Sequence, residues 1–215
     1  MTKHVLTLPN KKELSASQTR KLLRDYRRDC PAVLELFDGT NPGPHDTLFE
    51  IDILSINALN AFGSASPMRA MTAAWTKRKK IEGAVREITK AELQALSGRE
   101  MGRQARLIDR AVCVIDDIFG FGYTASSKLL HRLRPNVAPI WDSKVAKWYP
   151  EAKYHDAWEP WINRMFSDVL APQNRYCLET ASQDLPHGLS LVRLWDIVLW
   201  QQKAPSGSSV PHSMP

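Results

Sequence analysis

Apolar residues recur every three or four positions along most of the chain, the spacing that places them on one face of an α-helix. Leu23 and Tyr26 follow Ser15, a residue type that caps helices, and Pro31 ends the run. Further helices are predicted over residues 49–62, 67–75, 88–96, 99–118, 154–171 and 189–202. No alternating segment longer than Val137–Trp141 favours a strand. The pattern therefore predicts an all-α fold.

The helical segments predict one domain over residues 15–202. Residues 1–14 precede the capping serine and are expected to be flexible, and residues 203–215 have too few core-forming side chains for a packed element and are expected to be a disordered tail. No apolar run reaches the roughly 18 residues that span a bilayer, and the N-terminus lacks the order of a secretory signal. We therefore expect a cytoplasmic protein with no membrane partner.

Positive charge is unevenly distributed along the chain, which has a net charge of +6. Residues 1–34 hold eight Lys and Arg against three acids, and residues 69–110 hold eleven against five. A fold that gathers these regions onto one face would attract a polyanion. Scattered cations that only keep the protein soluble explain the same composition equally well.

Four arginines, Arg99, Arg103, Arg106 and Arg110, share one face of the helix predicted over residues 99–118. Such a row could follow a phosphate backbone, and a solvated helix face is the alternative. The three cysteines are odd in number and far apart, which favours buried thiols over disulfides. No zinc or iron–sulfur site can be built from them alone, and we expect no cofactor and no metal.

Gly120 and Gly122 lie between two helical segments in IFGFGYTASSKLLH. Glycine lets a foreign group approach the backbone closely, and the first N–H groups of the helix beginning near Tyr123 lack internal partners, so this end suits a phosphate. A plain glycine-rich turn between packed helices is the alternative. The residues expected to bind phosphate are Gly120, Gly122, Tyr123, Thr124, Ser126, Lys128, Lys144, Arg103 and Arg106.

Asp142 follows the glycine pair in the segment APIWDSKVAKW. At the start of a helix its carboxylate should remain ionised, and it could stabilise the cation that forms when an N-glycosidic bond breaks. Asp is also an ordinary N-cap residue, so a purely structural role is the alternative. Trp141 is a candidate wall for a base pocket, with core packing as its alternative.

The segment IFGFGYTASSKLL resembles the helix-hairpin-helix element of the DNA glycosylase superfamily, here at about residues 105–134. APIWDSKVAKW resembles the segment around the catalytic Asp of that superfamily, closest to its adenine-specific mismatch glycosylases, and Asp142 lies twenty residues after Gly122. The resemblance implies catalysis by Asp142. Thr124 stands where bifunctional members carry a nucleophilic Lys, and Phe119 replaces the usual Pro. The iron–sulfur branch's four-cysteine cluster is absent.

The expectation is a monofunctional DNA N-glycosylase that binds double-stranded DNA and acts in base excision repair on an unidentified base. Two alternatives stay open, a non-enzymatic helix-hairpin-helix DNA-binding protein and a helical interaction or small-molecule-binding protein. The segments EIDILSINAL and RLWDIVLW also resemble an uncharacterised bacterial helical family, which implies no activity. A glycosylase needs a concave pocket beside Asp142, whereas a DNA-binding protein needs only a charged face.

Overall fold

The computed structural model describes residues 5–41, 43–59, 61, 66–149, 158–185 and 188–202. The α-helices in those ranges are α1 (Ala16–Asp29), α2 (Pro31–Val33), α3 (Glu50–Asn57), α4 (Pro67–Thr76), α5 (Arg78–Arg86), α6 (Gly98–Asp116), α7 (Tyr123–Leu133), α8 (Trp158–Leu170), α9 (Pro172–Ala181) and α10 (Leu191–Gln201). Two strands, β1 (Val5–Thr7) and β2 (Glu13–Ser15), pair antiparallel. The structure is thus mainly helical, as predicted. The tail expected at residues 203–215 lies outside the described residues.

Residues 5–7 and 13–15, within the segment expected to be flexible, form a pair of strands. In the β1–β2 hairpin Leu6 pairs with Leu14, and both side chains are buried. Asn174 on α9 accepts a hydrogen bond from the backbone of β1 and donates one back to it. The hairpin was missed because two three-residue strands are too short to show an alternating pattern.

Serine caps begin the two helices that the sequence predicted most clearly. Ser15 starts α1 and Ser97 starts α6, each in a capping box in which the side chain three residues later bonds back to the cap. The helix predicted over residues 88–96 is wrong, since only a 3₁₀ turn forms at Leu93–Ala95. In this segment a side chain accepts a hydrogen bond from the backbone in place of a helical carbonyl, since the Thr89 N–H donates to the Gln104 side chain.

Helices α6 and α7 pack against each other and are joined by a turn over residues 117–122. Helices α5 and α8 also pack on α6, while α1 packs on α9 and α10. Trp158, Trp161 and Trp195 are buried and form part of the core. None of the helices within the described ranges is long and apolar enough to cross a membrane.

Candidate functional site

A cavity of about 270 Å³ lies beside Asp142, between α1, α7 and α10. Its volume is near the lower end of ligand pockets, roughly 300 Å³, and so suits a small group. The walls include the rings of Tyr26 and Trp200. The polar side chains that line it are Lys128, Asp142, Arg193 and Asp196.

Asp142 uses one carboxylate oxygen to hold the backbone and leaves the other uncommitted. Oδ1 accepts the N–H groups of Lys144 and Val145 at 2.8 and 2.9 Å. The helix expected after Asp142 is a single 3₁₀ turn, Val145–Lys147, so the capping role exists on a shorter element than predicted. Within the described ranges no donor is bonded to Oδ2. Capping and ligand contact can therefore coexist on this side chain.

Two residues predicted to bind phosphate, Ser126 and Lys128, are buried instead, which corrects that assignment. Lys128 Nζ donates to the backbone oxygen of Leu59 at 2.6 Å. Burial lowers the pKa of Lys128, and Asp142 and Asp196 oppose that shift. The side chains lie inside because most of α7 is enclosed by other helices, so it has little solvated face. Lys128 belongs to the cavity and not to the outer surface.

Asp196 and Arg193 form a buried ion pair that lines the cavity, and neither residue was among those predicted for the site. Burial raises the pKa of Asp196 to about 7, and the positive charge of Arg193 opposes this rise. Arg193 also donates to Asp38 at 2.8 Å and to the Tyr26 hydroxyl at 2.6 Å. The one available signal was a pair of charges inside the apolar run of α10. Charged residues in such a run are buried only when they are paired.

The two glycines of the turn differ in their surroundings. Gly120 has φ +83°, and a Cβ there would lie 3.0 Å from Cβ of Ala70 on α4. The side of Gly120 on which a Cβ would lie therefore packs against α4. Gly122 is exposed, has an extended φ of −117°, and has nothing within 4 Å of an added Cβ. No side chain caps the first N–H groups of α7.

The surface left for a phosphate at the start of α7 consists of Gly122, Tyr123 and Thr124. Tyr123 and Thr124 are half-buried, and the Tyr123 ring lies 5.4 Å from that of Trp158. Backbone N–H groups at this end, with the helix dipole, remain suited to an anion.

Trp141 does not line the cavity, so its assignment to a base pocket is not supported. Its ring lies 5.0 Å from that of Trp161 and 5.7 Å from that of Trp158, in an aromatic cluster against α8. Its surroundings agree with the alternative role of Trp141, which is packing against other aromatic side chains. Lys144 lies closer to the cavity, with Nζ 3.2 Å from the centre of the Trp200 ring.

The arginine row of α6 is exposed, as its spacing indicates. Arg106 pairs with Glu159 on α8 at 3.1 Å, while Arg103 is among the exposed members. Arg132 and Arg134, near the end of α7, are fully buried and bind backbone carbonyls and carboxylates. They hold the fold together and cannot reach a ligand on the surface.

A family model matches residues 19–203, most of the chain. The chain belongs to DUF6308, a family of unknown function. Neither a curated protein nor a solved structure matches it. Membership of DUF6308 assigns no activity, so the helix-hairpin-helix and glycosylase resemblance stays a prediction.

Proposed function

We propose that this DUF6308 protein is a DNA-binding, monofunctional N-glycosylase that removes an unidentified base. The observation that carries the proposal is the cavity beside Asp142. A helix-hairpin-helix protein that only binds DNA has no need of a pocket next to this carboxylate. A base in duplex DNA must leave the stack to be excised, and a pocket with aromatic walls is what receives it.

The charges around the cavity suit departure of a base. Loss of the base builds positive charge on the sugar, and Oδ2 of Asp142 supplies an anion that can stabilise it or orient the attacking water. Lys128 adds an ammonium donor in the same cavity, where it can bind an acceptor atom of the base. Gly122 and the N–H groups of α7, with the exposed arginines of α6, would hold backbone phosphates.

The test uses duplex oligonucleotides, each carrying one damaged, mismatched or modified base, with alkali cleavage to reveal abasic sites. In Asp142→Asn the side-chain oxygen can still accept the N–H groups of Lys144 and Val145, so the cost in unfolding free energy should be well under ~1 kcal/mol. Because the negative charge is lost, base release should fall by ~10²-fold or more while DNA binding holds. Asp29→Asn, the same change on a half-exposed surface residue, is the matched control.

Three results would change the proposal in different ways. No excision across a broad panel would favour the non-enzymatic DNA-binding protein. Excision at the parent rate by Asp142→Asn would make Asp142 structural. A covalent adduct trapped by borohydride, and lost in Lys128→Gln, would contradict the monofunctional assignment, because only an amine nucleophile forms such an adduct.

A further inference from the structure

The turn before α7 and the first turns of α4 form one surface. Gly120 approaches α4 so closely that an added Cβ would lie 3.0 Å from Cβ of Ala70. This contact fixes Phe119, at the tip of the turn, beside Met68 on α4. Together they line an open groove of about 380 Å³ with Arg69, Thr72 and Ala73.

Phe119 and Met68 are the most exposed large apolar side chains in the part of the chain that the structure describes. Phe119 is 66% exposed and Met68 is 70% exposed. Neither is needed to fill the core. Adjacent exposed apolar residues on an ordered surface indicate a contact with a partner.

Cations outnumber acids around this pair, and the acids are Asp116 and Asp117, which precede Phe119 in the sequence. Arg69 lies on the same helix, and four consecutive cations, Lys77–Lys80, join α4 to α5. Lys80 Nζ lies 3.6 Å from an oxygen of Asp117, which places the start of α5 beside the turn. An apolar patch among cations fits a partner that combines negative charge with flat apolar faces, as a nucleic acid does.

We propose that Phe119 and Met68 bind the face of an unpaired DNA base, with the surrounding cations on the neighbouring phosphates. Bases in an intact duplex are stacked and hide their faces, so the patch would favour DNA with a locally unpaired nucleotide. The turn that carries Phe119 leads into α7, and Lys128 on that helix lines the cavity. The inference rests on the proposed DNA binding and not on the chemistry of Asp142.

The experiment measures fluorescence polarisation with three labelled oligonucleotides of equal length: an intact duplex, a duplex with one unpaired nucleotide, and a single strand. The parent protein should bind the second more tightly than the first. Phe119→Ala should weaken binding to the second by ~10-fold, the size of one lost base–aromatic stack, and leave the intact duplex almost unchanged. Phe119→Trp should retain the preference.

Leu54→Ala is the matched control, because Leu54 is 49% exposed on α3 and outside the patch. Thermal unfolding checks that each variant is folded, which the exposure of Phe119 favours. An unchanged preference in Phe119→Ala overturns the inference. So does a loss of self-association or of binding to phosphatidylserine vesicles in that variant while its DNA preference stays intact.

The outcomes separate this inference from the proposed function. Preference for the unpaired nucleotide without base excision supports the patch and contradicts the glycosylase. Excision with a preference that Phe119→Ala does not alter contradicts the patch alone. No binding to any of the three oligonucleotides contradicts both.

Discussion

Ser126 and Lys128 are polar side chains that the fold holds away from water. Solvent exposure is the usual state of such residues. Ser126 and Lys128 break that rule, since their helix is surrounded by others. Lys128 is tolerated inside because its ammonium donates to a backbone oxygen and lies near Asp142 and Asp196. The sequence offered capping as one of two roles for Asp142, and its backbone contacts are present, but no local pattern could place Asp196 in the same cavity.

The glycine pair gives a prediction at this scale, because the two positions should respond differently to Ala. Gly122→Ala should keep the stability of the parent, since its φ is extended and the space around it is open. Its methyl group would obstruct a phosphate, so DNA affinity should fall several-fold. Affinity is measured by fluorescence polarisation. Equal affinity in the folded variant would remove the start of α7 from the DNA contact.

Gly120→Ala is the comparison variant. A positive φ of +83° strains any residue with a Cβ, and the new methyl group would press on Ala70. The free energy of unfolding should therefore drop by about 1–2 kcal/mol. A stability loss in Gly122→Ala instead would show that the two roles are assigned the wrong way round.

At the scale of elements, the ends of helices were predictable where a side chain caps them and unpredictable where distant residues do. Ser15 and Ser97 are of a residue type that caps helices, and they begin α1 and α6. The segment after α5 is different, because Arg134 donates to the backbone oxygens of Val85 and Ile88 at 2.9 and 2.8 Å. An arginine 46 residues away in sequence thus helps to end a helical run. Local pattern cannot reveal such a contact.

Arg134 also bonds to the oxygens of His45 and Leu133 and pairs with Asp46, so it joins three segments. Arg134→Lys keeps the charge but offers fewer donors without the planar fork. Buried carbonyl oxygens would lose their partners, and the free energy of unfolding should fall by about 3 kcal/mol. Urea unfolding measures it. Arg103→Lys, on the exposed face of α6, is the control and should leave the free energy of unfolding unchanged. A similar loss of stability in the two variants would show that Arg134 has no special role.

For the whole molecule, the helical class follows from the period of apolar residues, and the chain order of the main helices follows with it. The packing arrangement of the helices does not follow from this period, because it depends on buried charged residues that join distant segments. Arg193 reaches Asp38, Asp196 and Tyr26, residues from three parts of the chain. The cavity exists where these parts meet. The α3 helix shows that apolar residues can also lie outside the core, since Ile51 and Leu54 are 40% and 49% exposed.

Two buried groups should each make the free energy of unfolding depend on pH, but in the parent protein the two effects should nearly cancel. Burial lowers the pKa of His131 to about 3, and the charge of Arg193 adds to the shift. Burial raises the pKa of Asp196 to about 7. Between about pH 4 and pH 6, unfolding therefore adds a proton at His131 and releases one at Asp196. The two slopes of the unfolding free energy are opposite in sign and nearly cancel.

Single variants should expose each slope. In His131→Gln, Asp196 is the one of the two groups that still titrates. Its carboxyl holds a proton in the native state that it lacks in the unfolded state, so the free energy of unfolding should fall by about 1.4 kcal/mol for each unit that pH rises. In Asp196→Asn only His131 remains, whose unfolded form holds the extra proton, so stability should rise by about the same amount per unit. The amide at either position can keep the existing hydrogen bond to Ala138 or Arg193. Urea unfolding at several pH values tests this, and parallel curves for the three proteins would show that the two groups titrate normally in the fold.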